Sequence, residues 1–314
     1  MTYAVRTDDL GRRFGETEAL SGLDLCVEPG TVLGLLGHNG AGKTTAVRIL
    51  TTLLTPTTGR AFVAGHDVVA QPRAVRESIS LAGQQASLDD RLTGRENLRL
   101  LGRLQKLAKA DAIARAAELL RRFGLEDAAD RQVGTYSGGM RRRLDLAACM
   151  VVRRPVIFLD EPTTGLDPAA RAEMWGAIEG LVQDGAALLL TTQYLEEADR
   201  LADEIVVLSG GRTVAAGRPA ELKARVGERR VHLTIPGDGE LASAARAFER
   251  LEPELDVRAR RLSIPAPDGP RDLRAALDAL DAAGIAVDEA ALSQPTLDDA
   301  FFALAGEHPE AVTA

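Results

Sequence analysis

Short apolar runs separated by turns open the chain. Tyr3–Thr7, Leu23–Glu28 and Thr31–Leu36 read as strands, and an apolar-periodic helix follows from Ala46 to Leu54. That helix is expected to end near Thr55-Pro56, because proline cannot continue it. Thr57-Thr58-Gly59 reads as a turn, Arg60–Ala64 as a strand and Ile79–Ala82 as a short apolar strand. From Leu92 to about Ala129 the period changes to that of helices: Leu98, Leu101, Leu104 and Leu107, then Ile113, Ala116, Leu120 and Phe123, with Gly124 as a stop. Strand character returns at Val156–Leu159, Leu188–Thr191 and Ile205–Leu208, and Gly210-Gly211 turns the last of these into Arg212–Ala216. Past about Ala224 the pattern runs strand Arg230–Ile235, helix Leu241–Leu251, strands Asp256–Ala259 and Leu262–Ile264, helix Leu273–Ala283 and strand Ile285–Leu292. This βαββαβ order predicts a small ferredoxin-like domain, closed by a helix over Leu297–Ala305.

A chain of 314 residues, 45% hydrophobic and 27% charged, suggests two globular domains. The net charge of −8 argues against a general nucleic-acid binder. Cys26 and Cys149 lie far apart in apolar stretches and read as buried reduced thiols. The first dozen residues are polar, so no signal peptide is visible, and no apolar run approaches the ~20 residues of a membrane span. A soluble intracellular protein is expected, one that reaches a membrane only by docking onto something else.

The chemistry concentrates between the early strand Thr31–Leu36 and its helix. Gly37-His38-Asn39-Gly40-Ala41-Gly42-Lys43-Thr44-Thr45 is a Gly-rich loop in strand–loop–helix context. Its glycines let backbone N–H groups approach phosphate oxygens, and the helix adds the positive end of its dipole. Lys43 can reach β- and γ-phosphates, and the Thr44 hydroxyl can ligate Mg²⁺. Val156–Leu159 runs into Asp160-Glu161, a strand end with two carboxylates; these are either solvated acids or, by resemblance to P-loop ATPases, the end of a strand lying beside the phosphate-loop strand. There Asp160 would hold the Mg²⁺ shell and Glu161 would polarise an attacking water. Tyr136-Ser137-Gly138-Gly139-Met140-Arg141 opens another helix; it reads equally as a second anion site or as a plain N-cap with a tight turn.

Phosphate loop, helical insertion, Ser-Gly-Gly helix start, acid-ended strand and Gly165-Leu166-Asp167 follow in that order, and over about Val5 to Leu222 the chain resembles the ATP-binding cassette (ABC) transporter ATPases. The resemblance implies an α/β P-loop domain at residues 1–222, with a parallel-sheet core, an antiparallel β subdomain and a helical insertion at about 85–150. Residues 223–314 would form a C-terminal accessory domain. It implies that Phe14 stacks on adenine, the alternative being a core aromatic. It implies that Gln84, rather than Gln85, joins the Mg²⁺ and the water. Ser137, Gly138 and Gly139 match the family signature, with Met140 where many members carry glutamine. Gln193 stands where most members place a histidine and is expected to sense the γ-phosphate without titrating.

That glutamine resembles the daunorubicin/doxorubicin-resistance branch. So do Gln84-Gln85-Ala86-Ser87-Leu88-Asp89 and the tail Pro295-Thr296-Leu297-Asp298-Asp299-Ala300-Phe301-Phe302. The resemblance implies an ATPase coupled to export of a hydrophobic drug or antibiotic through a separate integral membrane permease, at the cytoplasmic face of the membrane. It implies a head-to-tail homodimer sandwiching two ATP, with Asp167 coupling the sites. The alternatives are export of lipid, polysaccharide or peptide, or a soluble ABC ATPase without a transport role.

Overall fold

The computed structural model describes residues 3–83, 88–225 and 229–305. The chain falls into two units, Met1–Pro219 and Ala220–Ala314, each with its own core. The first begins with β1 (Val5–Phe14) and β2 (Thr17–Val27), an antiparallel hairpin far longer than the apolar pattern predicts. Three register shifts in the β1–β2 pairing break the inside–outside alternation, so the polar middle joins the ladder unannounced.

Next come β3 (Val32–Leu36), α1 (Lys43–Leu50), β4 (Thr58–Val63), β5 (His66–Asp67), α2 (Pro72–Ser78) and β6 (Ile79–Ala82). The helical insertion holds α3 (Gly94–Leu104) and α4 (Lys109–Arg122), followed by α5 (Gly138–Cys149). The unit continues with β7 (Val156–Asp160), α6 (Pro168–Gln183), β8 (Ala187–Thr192), α7 (Leu195–Leu201), β9 (Glu204–Ser209) and β10 (Arg212–Gly217). Helix α1 stops well before Pro56. Thr52 turns left-handed at φ 64°, and the N–H groups of Leu53 and Leu54 return to the Arg48 carbonyl. Gly210 and Gly211, both at positive φ, close the β9–β10 hairpin as their sequence predicts.

Two sheets result, an antiparallel β2-β1-β4-β5 and a six-stranded β10-β9-β3-β8-β7-β6, parallel except for β10. The central strands β3, β7 and β8 are buried along their whole length, on both faces of the sheet. Val156 and Phe158 of β7, with Ala187 and Leu189 of β8, pack into the core shared with the antiparallel sheet and α1. Ile157, Leu159, Leu188 and Leu190 face the opposite core, built with the helices that follow β6. The acid-ended strand β7 is not beside β3: β8 lies between them. Buried at all six positions, β8 belongs inside the sheet rather than at its edge. Both cysteines are free, but neither is fully buried: Cys149 is half-buried, and Cys26 is exposed on the outward side of β2 between buried Leu25 and Val27.

Helix α8 (Pro219–Ala224) falls at the division between the units. The second unit contains β11 (Arg230–Thr234), α9 (Asp238–Ala247), β12 (Glu254–Asp256), β13 (Arg261–Pro265), α10 (Pro270–Ala282), β14 (Glu289–Ser293) and α11 (Leu297–Ala305). The sheet order β12-β13-β11-β14, antiparallel throughout, is the ferredoxin-like arrangement. Its second strand ends earlier than predicted. The Asp256 carboxylate accepts from the Ala259 N–H and bends the chain into a turn, with Arg260 at φ 51°. Among the described residues no helix is long and apolar enough to cross a membrane.

Candidate active site

At the C-terminal end of β3 the chain enters the loop of residues 37–42 with no room for side chains at two points. A Cβ on Gly37 would meet the Leu208 carbonyl at 2.5 Å, and one on Gly42 the Ala19 carbonyl at 2.7 Å. Gly42 also sits at φ 109°, which glycine alone adopts freely, and it opens α1 without a side-chain cap. The first N–H groups of α1 are thus left for an anion. Asn39 and Gly40 lie on the exposed crest of the loop, and Thr45 is half-buried in the first turn of the helix.

Lys43 is 4% exposed, a depth a cation tolerates only when satisfied. Its Nζ donates to the carbonyls of Gly37 at 2.6 Å and His38 at 3.2 Å, and lies 3.4 Å from Glu161 Oε1. Glu161, 8% exposed, occupies the left-handed region at φ 51°. A residue with a side chain there costs about 1–3 kcal/mol and marks a position fixed by its surroundings. Its N–H is held by both the carbonyl and the hydroxyl of Thr191, each at 3.1 Å. The same hydroxyl donates to Asp160 Oδ1 at 2.6 Å, and Thr44 Oγ1 lies 3.5 Å from that oxygen. So β8, inserted between β3 and β7, supplies the bridge between them. Thr191 escapes sequence reasoning; its one signal is a polar residue at the end of a fully buried apolar strand.

Among the described residues, the other predicted site residues make no hydrogen bond to this cluster. Phe14 ends β1 at 46% exposure, which excludes the core reading, and the Arg12 guanidinium stacks on its ring at 4.6 Å. Ser137 caps α5, accepting from Met140 N–H at 3.2 Å. Gly138 lines a cleft of about 460 Å³ that also contains Arg141, Glu161, Thr164 and Gly165. Asp167 caps α6 through the Ala170 N–H at 2.8 Å. Gln193 is half-buried in the bend between β8 and α7. Gln84 lies outside the described residues.

Residues 20–164 match the family model for the ABC transporter. The chain is 50% identical over 304 residues to the daunorubicin resistance ATP-binding protein DrrA3 of Streptomyces coeruleorubidus, covering 97% of this chain and 96% of that one. It is 48% identical over 313 residues to the daunorubicin/doxorubicin resistance ATP-binding protein DrrA of Streptomyces peucetius, covering 98% and 94%. Among solved structures, the ATP binding subunit of an ABC transporter superposes with a TM-score of 0.64 at 28% identity, over 71% of this chain and 93% of that one.

Proposed function

The chain belongs to the ABC transporter ATP-binding family, whose members hydrolyse ATP to drive transport, and from that premise we propose that it energises export of a hydrophobic antibiotic through a separate membrane permease. One observation carries the reading. Similarity to the daunorubicin resistance protein runs over 97% of the chain, so the accessory unit is shared along with the ATPase core.

In this reading Phe14 stacks on adenine, and the loop amides with the start of α1 receive the phosphates. A phosphate entering the loop offers Lys43 better acceptors than the carbonyls of Gly37 and His38. As the ammonium turns to it, Glu161 is freed to take a proton from the attacking water. Gln193 donates to the γ-phosphate. Thr44 Oγ1 and Asp160 Oδ1, 3.5 Å apart, are hard oxygen donors of the kind Mg²⁺ takes when phosphates and waters complete its shell. Bound there, with Gln84 as a further ligand, the ion would offset charge on the β- and γ-phosphates. Two copies would sandwich two ATP, with Ser137, Gly138 and Gly139 of one closing on the nucleotide of the other and Asp167 between the sites. The permease would hold the dimer at the cytoplasmic face of the membrane; nucleic acid has no part.

The test is to purify the tagged chain from its host's membranes, identify the co-purifying multi-span protein, and reconstitute both in vesicles with a fluorescent anthracycline. ATP-dependent uptake is expected. Glu161→Gln should keep ATP binding and lose roughly 10²–10⁴-fold in turnover. Recovery without a membrane protein, or vesicles indifferent to ATP, would overturn the export reading. Wild-type turnover in the variant would overturn the role of Glu161.

A further inference from the structure

Behind the two carboxylates lies a side chain to which nothing above gives a part. Arg142, in the second turn of α5, is largely buried, and its guanidinium serves four backbone carbonyls from two separate segments. Nε donates to Pro162 O at 2.6 Å, Nη1 to Gly83 O at 2.8 Å, and Nη2 to Glu161 O at 2.8 Å and Asp160 O at 3.3 Å. Asp145, one turn further along α5, lies 3.7 Å from Nη1 and balances its charge. A planar fork with five donors can reach this many acceptors; a lysine ammonium, a single point with three donors, cannot.

The three consecutive carbonyls 160–162 belong to the bend in which Glu161 is held at φ 51°. Thr191 fixes the N–H side of that residue and Arg142 the carbonyl side. A left-handed residue with a side chain persists only where its neighbours impose the conformation, and Arg142 supplies half of that restraint. We propose that Arg142 is the positioning residue that aims the Glu161 carboxylate for ATP hydrolysis, and that through it α5, whose start carries Ser137 and Gly138, is mechanically joined to that carboxylate. The proposal rests on Glu161 being the general base. Arg142 would act only through Glu161 and touch no reacting atom.

The test measures single-turnover ATP cleavage, with KM for ATP, in the full chain carrying Arg142→Gln, Arg142→Lys, Glu161→Gln and the double variant Arg142→Gln/Glu161→Gln. Misplacing a reacting group by about 1 Å costs on the order of 10²-fold. Arg142→Gln should therefore lose about 30–100-fold in kcat with KM within about threefold, and Arg142→Lys should recover part of it. The double variant should be no slower than Glu161→Gln alone, because residues acting as one unit are not additive. A purely structural role predicts the opposite, a double variant slower by the full Arg142→Gln factor. That result, or wild-type turnover in Arg142→Gln, would overturn the proposal while leaving Glu161 in place. Wild-type turnover in Glu161→Gln would instead remove the premise. Should Arg142→Gln fail to fold, Arg142→Lys, which keeps the charge beside Asp145 but not the reach, carries the same comparison.

Discussion

By the resemblance to ABC ATPases, Gln193 stands where most members place a histidine. It follows Thr192, whose hydroxyl accepts from the Tyr194 N–H at 2.9 Å and fixes the bend. Glutamine can donate to a γ-phosphate but carries no titratable proton. A lost hydrogen bond to a charged group is worth about 1.5–3 kcal/mol. Gln193→Ala should therefore turn over ATP roughly 10–100-fold more slowly. Gln193→His should restore donation and add a limb near pH 6.5 to the kcat profile that the parent lacks. Steady-state rates from pH 5.5 to 8.5 separate these cases, and an alanine variant at parental rate would remove Gln193 from the site. At this scale the sequence was legible where function needs adjacent residues. Lys43, Thr44, Asp160 and Glu161 announce themselves by local spacing. Thr191 and Arg142 do not, because each works on groups 18 to 59 residues away along the chain.

Among the elements, the junction of β8, α6 and α7 holds the most deeply buried carboxyl group of the first unit. Glu197 on α7 is fully buried and accepts from Trp175 Nε1 of α6 at 3.2 Å. Burial pushes its carboxyl above the usual range, a shift opposed by the hydroxyls of Thr192 and Thr163 and by the Trp175 indole. The folded chain thus keeps this proton to a higher pH than the unfolded chain does. In the window between the ordinary carboxylate value and the raised one, the folded state binds more protons, so stability falls as pH rises. Glu197→Gln removes that loss. The Tm of the variant relative to the parent should climb as pH rises through the window and then level off. Parallel Tm curves from pH 4 to 8 would contradict it. Element bounds were legible where a run is apolar and ends in a turn signal: β6 and α11 occupy the ranges their patterns predict. They were illegible where pairing, not side-chain pattern, makes the strand, as in the bulged β1–β2 hairpin. Strand order was equally hidden, because β3, β7 and β8 are all apolar and only their neighbours distinguish them.

For the whole molecule, the proposed dimer raises the question of what would bring two acidic copies together. Each carries a net charge of −8, and at physiological salt the repulsion reaches only about 8 Å. The barrier is therefore local to the facing surfaces, where in the proposed sandwich ATP would bridge a phosphate loop and a second helix start. Glu161→Gln, which holds its ATP, should scatter light as a 33.4 kDa species without nucleotide and at about twice that mass with Mg·ATP. ADP should leave it monomeric. Gly138 sharpens the test. It is exposed at the start of α5, and a Cβ there would meet nothing within 4 Å. Gly138→Asp should therefore fold as stably as the parent, since a carboxylate suits the first turn of a helix. It would also set a negative charge where the sandwich model puts the other copy's γ-phosphate. In the Glu161→Gln background it should keep the monomer's Tm and its ATP binding yet stay monomeric with Mg·ATP. If the double variant dimerises as readily as Glu161→Gln, the start of α5 does not face the nucleotide, and the sandwich assigned to Ser137, Gly138 and Gly139 is wrong.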